Sequence, residues 1–172
     1  MEDDMTYEFI FKDSFMDLTK THIRETQTNE EVLLQPKWSF PIGKYLFFSG
    51  KQKYKAISTK ENFIHNAFIV YNQDGKELLR VKDVSLLKKE SIFNELNLVY
   101  EQNSYHIKST FAFNTITMSK GEEIIFTAHK ISSIFKTLLS LYDYKVNIHN
   151  KLDLPFPVWV AIFKGIHLLI RH

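Results

Sequence analysis

The residues best suited to ligand chemistry are three lysines at alternate positions, Lys51, Lys53 and Lys55. In a β-strand alternate side chains leave the same face, so their ammonium groups would follow one another in steps of about 7 Å. Such a row can hold phosphate oxygens or anionic headgroups, because each basic residue close to an anionic membrane contributes about 1 kcal/mol. The same pattern is also typical of an ordinary solvated strand face, or of a sheet edge that lysines protect from further pairing. We therefore take the three lysines as the candidate anion site and keep the solvated face as the alternative.

The remaining reactive side chains form no recognisable catalytic or metal-binding pattern. Lys88-Lys89 lies in a predicted connection between hairpins, where it either extends the lysine row or faces solvent. The seven histidines show neither His-x-x-x-His nor His-x-His spacing, and the sequence contains no phosphate-binding glycine loop and no nucleophile elbow. The adjacent carboxylates Glu30-Glu31 and Glu122-Glu123 would point to opposite faces of a strand, which does not suit shared acid–base catalysis. We predict a protein that is not an enzyme and that holds neither a metal nor a cofactor.

The composition is that of one globular domain. The chain has 172 residues, of which 44% are hydrophobic, no cysteine and a net charge of +2. The absence of cysteine excludes a disulfide scaffold and thiolate metal sites. Basic residues are interspersed with acidic ones, so we expect no nucleic-acid partner. The acidic start at residues 1–5 lacks the basic and apolar regions of a secretory signal, and a cytoplasmic location is therefore expected.

Alternation of apolar and polar residues predicts a β-protein. Aromatic residues make up 15% of the chain and favour strands. The clearest alternation covers residues 142–149, and Asp74-Gly75 between apolar runs at 68–71 and 77–84 predicts a tight hairpin. Residues 13–26 are expected to form a short helix or loop. Further strands are predicted at 7–11, 38–48, 53–59, 96–102, 105–109, 111–118 and 123–131.

The final segment breaks this pattern and predicts a helix over residues 157–170. Pro157 suits the first turn of a helix. Lys164, His167 and Arg171 would share one narrow stripe, and every other direction would be apolar, so the helix must be buried. Its length of about 21 Å is too short for a hydrocarbon core of about 30 Å. We therefore predict a core helix surrounded by strands, and no transmembrane span.

Eleven or twelve strands followed by a very apolar C-terminal helix resemble the tubby C-terminal-like superfamily, most of all its LURP-one-related and bacterial members. The resemblance rests on the hairpin at 68–81, the strands at 124–131 and 144–148, and the helix at 157–170. It implies a mainly β fold, a closed antiparallel barrel of about 12 strands enclosing a hydrophobic C-terminal α-helix. The whole chain, residues 1–172, would form a single tubby-like domain, although the N-terminal third matches poorly.

The resemblance implies a non-enzymatic function at a membrane surface, because tubby proteins bind membrane phosphoinositides. Their basic ligand-binding residues have no residue-by-residue counterparts here, so the candidate patch stays Lys51, Lys53 and Lys55. We expect a cytoplasmic protein, peripheral at the membrane, that binds anionic phospholipid or phosphoinositide-like headgroups. The alternative is a protein-interaction or scaffold module with a protein partner and no lipid ligand. A scramblase-like lipid mover fits less well, since scramblases of this superfamily carry cysteine-rich acylation segments.

Overall fold

Antiparallel strands in one sheet, together with one long α-helix, form the fold in the computed structural model, which describes residues 7–12, 19–37, 43–61, 64–84, 95–133, 136, 142–149 and 152–170. The strands within these ranges are β1 (Tyr7–Phe11), β2 (Thr21–Arg24), β3 (Glu31–Lys37), β4 (Gly43–Ser49), β5 (Gln52–Glu61), β6 (Ile64–Tyr71), β7 (Glu77–Asp83), β8 (Glu95–Tyr100), β9 (Asn103–Ser109), β10 (Thr115–Lys120), β11 (Glu123–Lys130) and β12 (Tyr144–Ile148). The helix, α1, spans Phe156–Ile170.

The sheet curls into a nearly closed barrel. From β2 to β12 each strand pairs with the next one along the chain, and β1 then pairs with the far side of β12, where Tyr7 lies opposite Ile148. Between β1 and β2 an isolated bridge joins Phe9 to Glu25, and the Thr26 N–H donates to the Glu8 carbonyl at 2.8 Å. The predicted fold class, a mainly β antiparallel barrel of about 12 strands with a core helix, is confirmed.

The junction between β1 and β2 depends on the buried carboxylate of Glu25. Its Oε1 accepts a hydrogen bond from the Glu8 N–H at 2.9 Å. Its Oε2 accepts from the Gln27 N–H at 2.7 Å, from the Thr28 hydroxyl at 2.9 Å and from the Thr28 N–H. Burial alone would raise the pKa of Glu25, but the hydrogen bonds from Glu8, Thr28 and Gln27 outweigh it and lower that pKa. A side chain thus supplies part of the closure that backbone pairing supplies elsewhere.

Helix α1 occupies the barrel interior, as predicted. All of its residues are buried, Lys164 and His167 included. Its closest approach to the sheet is at β6, where Gly165 packs directly against the side chain of Phe68. On the other side of the helix, Phe163 meets aromatic rings of β1, β11 and β12, with centroid distances of 5.1–6.2 Å. The helix is therefore pressed against the wall around β6, and aromatic rings fill the opposite side.

The N-terminal third differs most from the sequence prediction. Residues 21–24 form β2, so the expectation of a short helix or loop over 13–26 is wrong there, and residues 13–18 lie outside the described ranges. Strand β3 was not predicted, because Val32-Leu33-Leu34 interrupts the alternation and Pro36 is unusual within a strand. The strand predicted at 38–48 is seen from Gly43 onward, and residues 38–42 are not described. Strand β10 begins at Thr115 because a 3₁₀ turn covers Phe111–Phe113.

Candidate functional site

The outer face of β5 carries two of the three candidate lysines. Lys53 and Lys55 are exposed, whereas Ala56 and Ser58 point into the barrel. Lys51 precedes the strand and is exposed in the turn between β4 and β5. The lysine row thus begins in a turn and continues along the outer wall.

Strand pairing places an aromatic ring beside each of the two lysines on the strand. Lys53 lies opposite Phe48 of β4, and its Nζ is 5.8 Å from the centroid of that ring. Lys55 lies opposite Tyr71 of β6, with its Nζ also 5.8 Å from the ring centroid. Cation–π attraction acts when the cation is within about 6 Å of the ring centroid, and both distances meet this limit. The rings therefore help to hold both ammonium groups above the outer face.

A groove of about 540 Å³ runs along this face, large enough for a small ligand. Leu46, Ile57 and Tyr71 provide its apolar surface, and Lys53 and Lys55 provide its positive charge. Lys51 does not line it. The groove therefore joins an apolar surface to two cations, whereas the sequence suggested only a row of cations.

The turn between β6 and β7 forms one end of the groove and is fixed by hydrogen bonds. The side-chain oxygen of Asn72 accepts from the Asp74 N–H at 3.0 Å and from the Lys76 N–H at 2.9 Å. Gly75 adopts a φ of 77°, a conformation that glycine enters without strain. The Asp74-Gly75 signal therefore correctly predicted the hairpin, and the turn gives the groove a defined wall.

An ion pair lies on the next strand beyond the groove. Register places Glu77 of β7 opposite Tyr71, and Arg80 opposite Ile69. Arg80 donates to both carboxylate oxygens of Glu77, from Nε at 2.9 Å and from Nη2 at 2.7 Å. These bonds lower the pKa of Glu77 and raise the pKa of Arg80. The guanidinium is thus already engaged by an anion from its own strand.

Positive charge is concentrated on this side of the barrel. Residues 31–84, which contain β3 to β7, include nine Lys and Arg and five Asp and Glu, whereas the rest of the chain has an acidic excess. Helix α1 packs against the inner side of these same strands. The candidate site therefore lies on a basic wall that the core helix supports from inside.

Lys164 and His167, also singled out in the sequence, are buried in the barrel and lie away from the groove. Lys164 is inside the barrel, with its Nζ 5.2 Å from the Tyr45 ring centroid and 6.0 Å from that of Phe11. His167 packs against Phe11 and Tyr144. Lys88-Lys89 and Arg171 fall outside the described residues. Within the described ranges, no cluster of three or more His, Asp or Glu side chains is arranged to hold a metal ion.

Comparison with family models, with curated proteins and with solved structures found no match for this chain. The resemblance to the tubby superfamily accordingly stays a prediction. No helix in the described part of the chain combines the length and hydrophobicity needed to cross a bilayer.

Proposed function

We propose that this protein is a non-enzymatic barrel that attaches to membrane surfaces by binding anionic phospholipid in the groove on β4 to β6. One observation carries the proposal: Lys53 and Lys55 stand over an apolar groove on the most basic wall of the barrel. Lys51, in the neighbouring turn, adds a third ammonium group near the end of that wall.

The combination of groups matches the two chemical layers of a phospholipid surface. Ammonium groups attract phosphate oxygens, and each contributes about 1 kcal/mol near an anionic bilayer. The apolar side chains of Leu46 and Ile57 suit the glycerol and ester region just below the phosphates, where the amphipathic ring of Tyr71 also fits. The alternative, an ordinary solvated strand face, accounts for the lysines but not for the apolar groove beside them.

Vesicle co-sedimentation tests this function. We expect the protein to bind vesicles of phosphatidylcholine mixed with phosphatidylserine, phosphatidic acid or a phosphoinositide, and not vesicles of phosphatidylcholine alone. The double variant Lys53→Gln/Lys55→Gln should bind about 25-fold more weakly, because it loses two charges worth about fivefold each. Added salt should weaken wild-type binding, because the Debye length falls to about 3 Å at 1 M.

The matched control is Lys108→Gln/Lys120→Gln, which removes the same charge from β9 and β10 on another part of the barrel. This variant should bind nearly as wild type. Equal losses in the two double variants, or equal binding to neutral and anionic vesicles, would contradict a site on β5.

A further inference from the structure

The ion pair on β7 adjoins the candidate groove. Tyr71, which lines the groove, lies opposite Glu77 on the neighbouring strand. Adjacent strands are about 4.8 Å apart, so the Arg80–Glu77 pair is one strand spacing from the groove wall. The charged or titratable groups that act on the pair are Tyr71, on Arg80, and Lys82, on Glu77. The pair belongs to the same outer surface as Lys53 and Lys55.

The chemistry of Arg80 suits phosphate at least as well as carboxylate. A guanidinium presents two parallel N–H groups that match the spacing of two oxygens in a carboxylate or a phosphate. Lysine binds such anions as a point charge and lacks this geometry. The cations that line the groove are lysines. Among the residues described around the groove, Arg80 is therefore the one that presents two parallel N–H groups, which we call its fork.

The carboxylate that occupies this fork is held at the surface. The side chain of Arg80 is 34% exposed and that of Glu77 is 41% exposed. Exposed ion pairs typically contribute little stability, because both partners are solvated when they separate, and the bidentate geometry of this pair places it at the stronger end of their range. A second anion can therefore exchange with Glu77 without leaving a buried charge behind.

We propose that Arg80 is a second phosphate-binding residue of this membrane-facing wall, and that Glu77 occupies its fork until a lipid phosphate replaces it. This inference rests on the proposed function and names the lipid chemistry of the same site. A phosphate monoester carries more negative charge than a diester and competes better with the Glu77 carboxylate. The guanidinium of Arg80 therefore favours headgroups with a terminal phosphate, such as phosphatidic acid, and Glu77 weakens attachment because its carboxylate competes for the same two N–H groups.

The experiment compares full-length variants on vesicles containing phosphatidic acid or phosphatidylserine in phosphatidylcholine. Glu77→Gln frees the fork and should tighten binding to phosphatidic acid about fivefold or more, with a smaller gain on phosphatidylserine. Glu77→Gln/Arg80→Lys keeps the positive charge but removes the fork, and should lose the extra gain on phosphatidic acid. Glu122→Gln, in the turn before β11, makes the same charge change away from this wall and should gain little.

Two results would overturn the inference. One is an equal gain for Glu77→Gln on both lipids, and the other is a full gain that survives in Glu77→Gln/Arg80→Lys. Either result leaves the groove intact if Lys53→Gln/Lys55→Gln still weakens wild-type binding. The converse result is that Lys53→Gln/Lys55→Gln leaves vesicle binding unchanged while Glu77→Gln still gains more on phosphatidic acid than on phosphatidylserine. That result would reject lipid binding in the groove and keep phosphate binding at Arg80. Thermal unfolding of each variant confirms that these surface changes leave the barrel folded.

Discussion

Gly165 shows how much of the barrel depends on the absence of one methyl group. A Cβ at this position would lie 2.5 Å from Cδ1 and 2.7 Å from Cγ of Phe68. Such distances are well below van der Waals contact, so the helix backbone lies against β6 only because residue 165 has no side chain. The sequence places a glycine inside a helix, where it is normally unfavourable, and the packing against Phe68 gives the reason.

Gly165→Ala should therefore destabilise the protein, although the same change usually stabilises an isolated helix by about 1 kcal/mol. We expect a net loss of about 1–3 kcal/mol, because the helix or Phe68 must shift to admit the methyl group. Urea unfolding measures the change. The same substitution in a Phe68→Leu background should cost less, and an unchanged midpoint for Gly165→Ala alone would show that the contact is not tight.

Elements that local sequence defines were predicted well, and elements defined by distant partners were not. The hairpin at Asp74-Gly75 was found because a tight turn has its own residue signature. The groove was not found, because Leu46 and Tyr71 lie beside Lys55 only through the register of three strands. Strand β2 was missed for a related reason: it is four residues long, and its pairing with β3 rather than its own pattern defines it.

The junction of β1 and β2 should make stability depend on pH through Glu25. Because folding lowers the pKa of this carboxyl, its contribution is complete above the unfolded pKa of about 4.3 and is lost as pH falls through the folded value. At pH 7 Glu25→Gln should cost about 1–3 kcal/mol, since hydrogen bonds to a charged acceptor become weaker ones. The difference from wild type should shrink steadily below pH 4.

Glu31→Gln is the control, because Glu31 is exposed and contacts only the exposed His22 among the interactions resolved around it. Its effect should stay within about 0.5 kcal/mol at either pH. Thermal unfolding of Glu25→Gln, Glu31→Gln and the wild type between pH 7 and pH 3 measures these differences in stability. A Glu25→Gln protein as stable as Glu31→Gln at pH 7 would remove Glu25 from the closure of the barrel.

At the scale of the whole molecule, the barrel and its helix form one core. Trp159 is 1% exposed and is the largest fully buried side chain among the described residues. The resemblance implied this arrangement, and the length of the apolar segment predicted it independently. What neither could provide is the position of the helix against β6, which depends on which inward side chains are small and which are aromatic.

Trp159→Ala should lower the free energy of unfolding by about 3–5 kcal/mol, because it leaves a void inside the barrel. That is a large part of the about 5–15 kcal/mol typical of a domain. Ile124→Ala, at a hydrophobic position that is 48% exposed, should change stability by only about 0.5 kcal/mol. Denaturant unfolding followed by circular dichroism compares the two, and similar midpoints would mean that the helix is not central to the core.

The pairing of Tyr7 with Ile148 also sets the timing of folding in the cell. At a translation rate of about 5–20 residues per second, β1 waits roughly 7–30 s before its partner strand leaves the ribosome. Helix α1 follows later still, so the barrel interior cannot be filled until residues 156–170 have been synthesised. During that interval β1 and the growing sheet expose unpaired strand edges, which makes the nascent chain prone to aggregation.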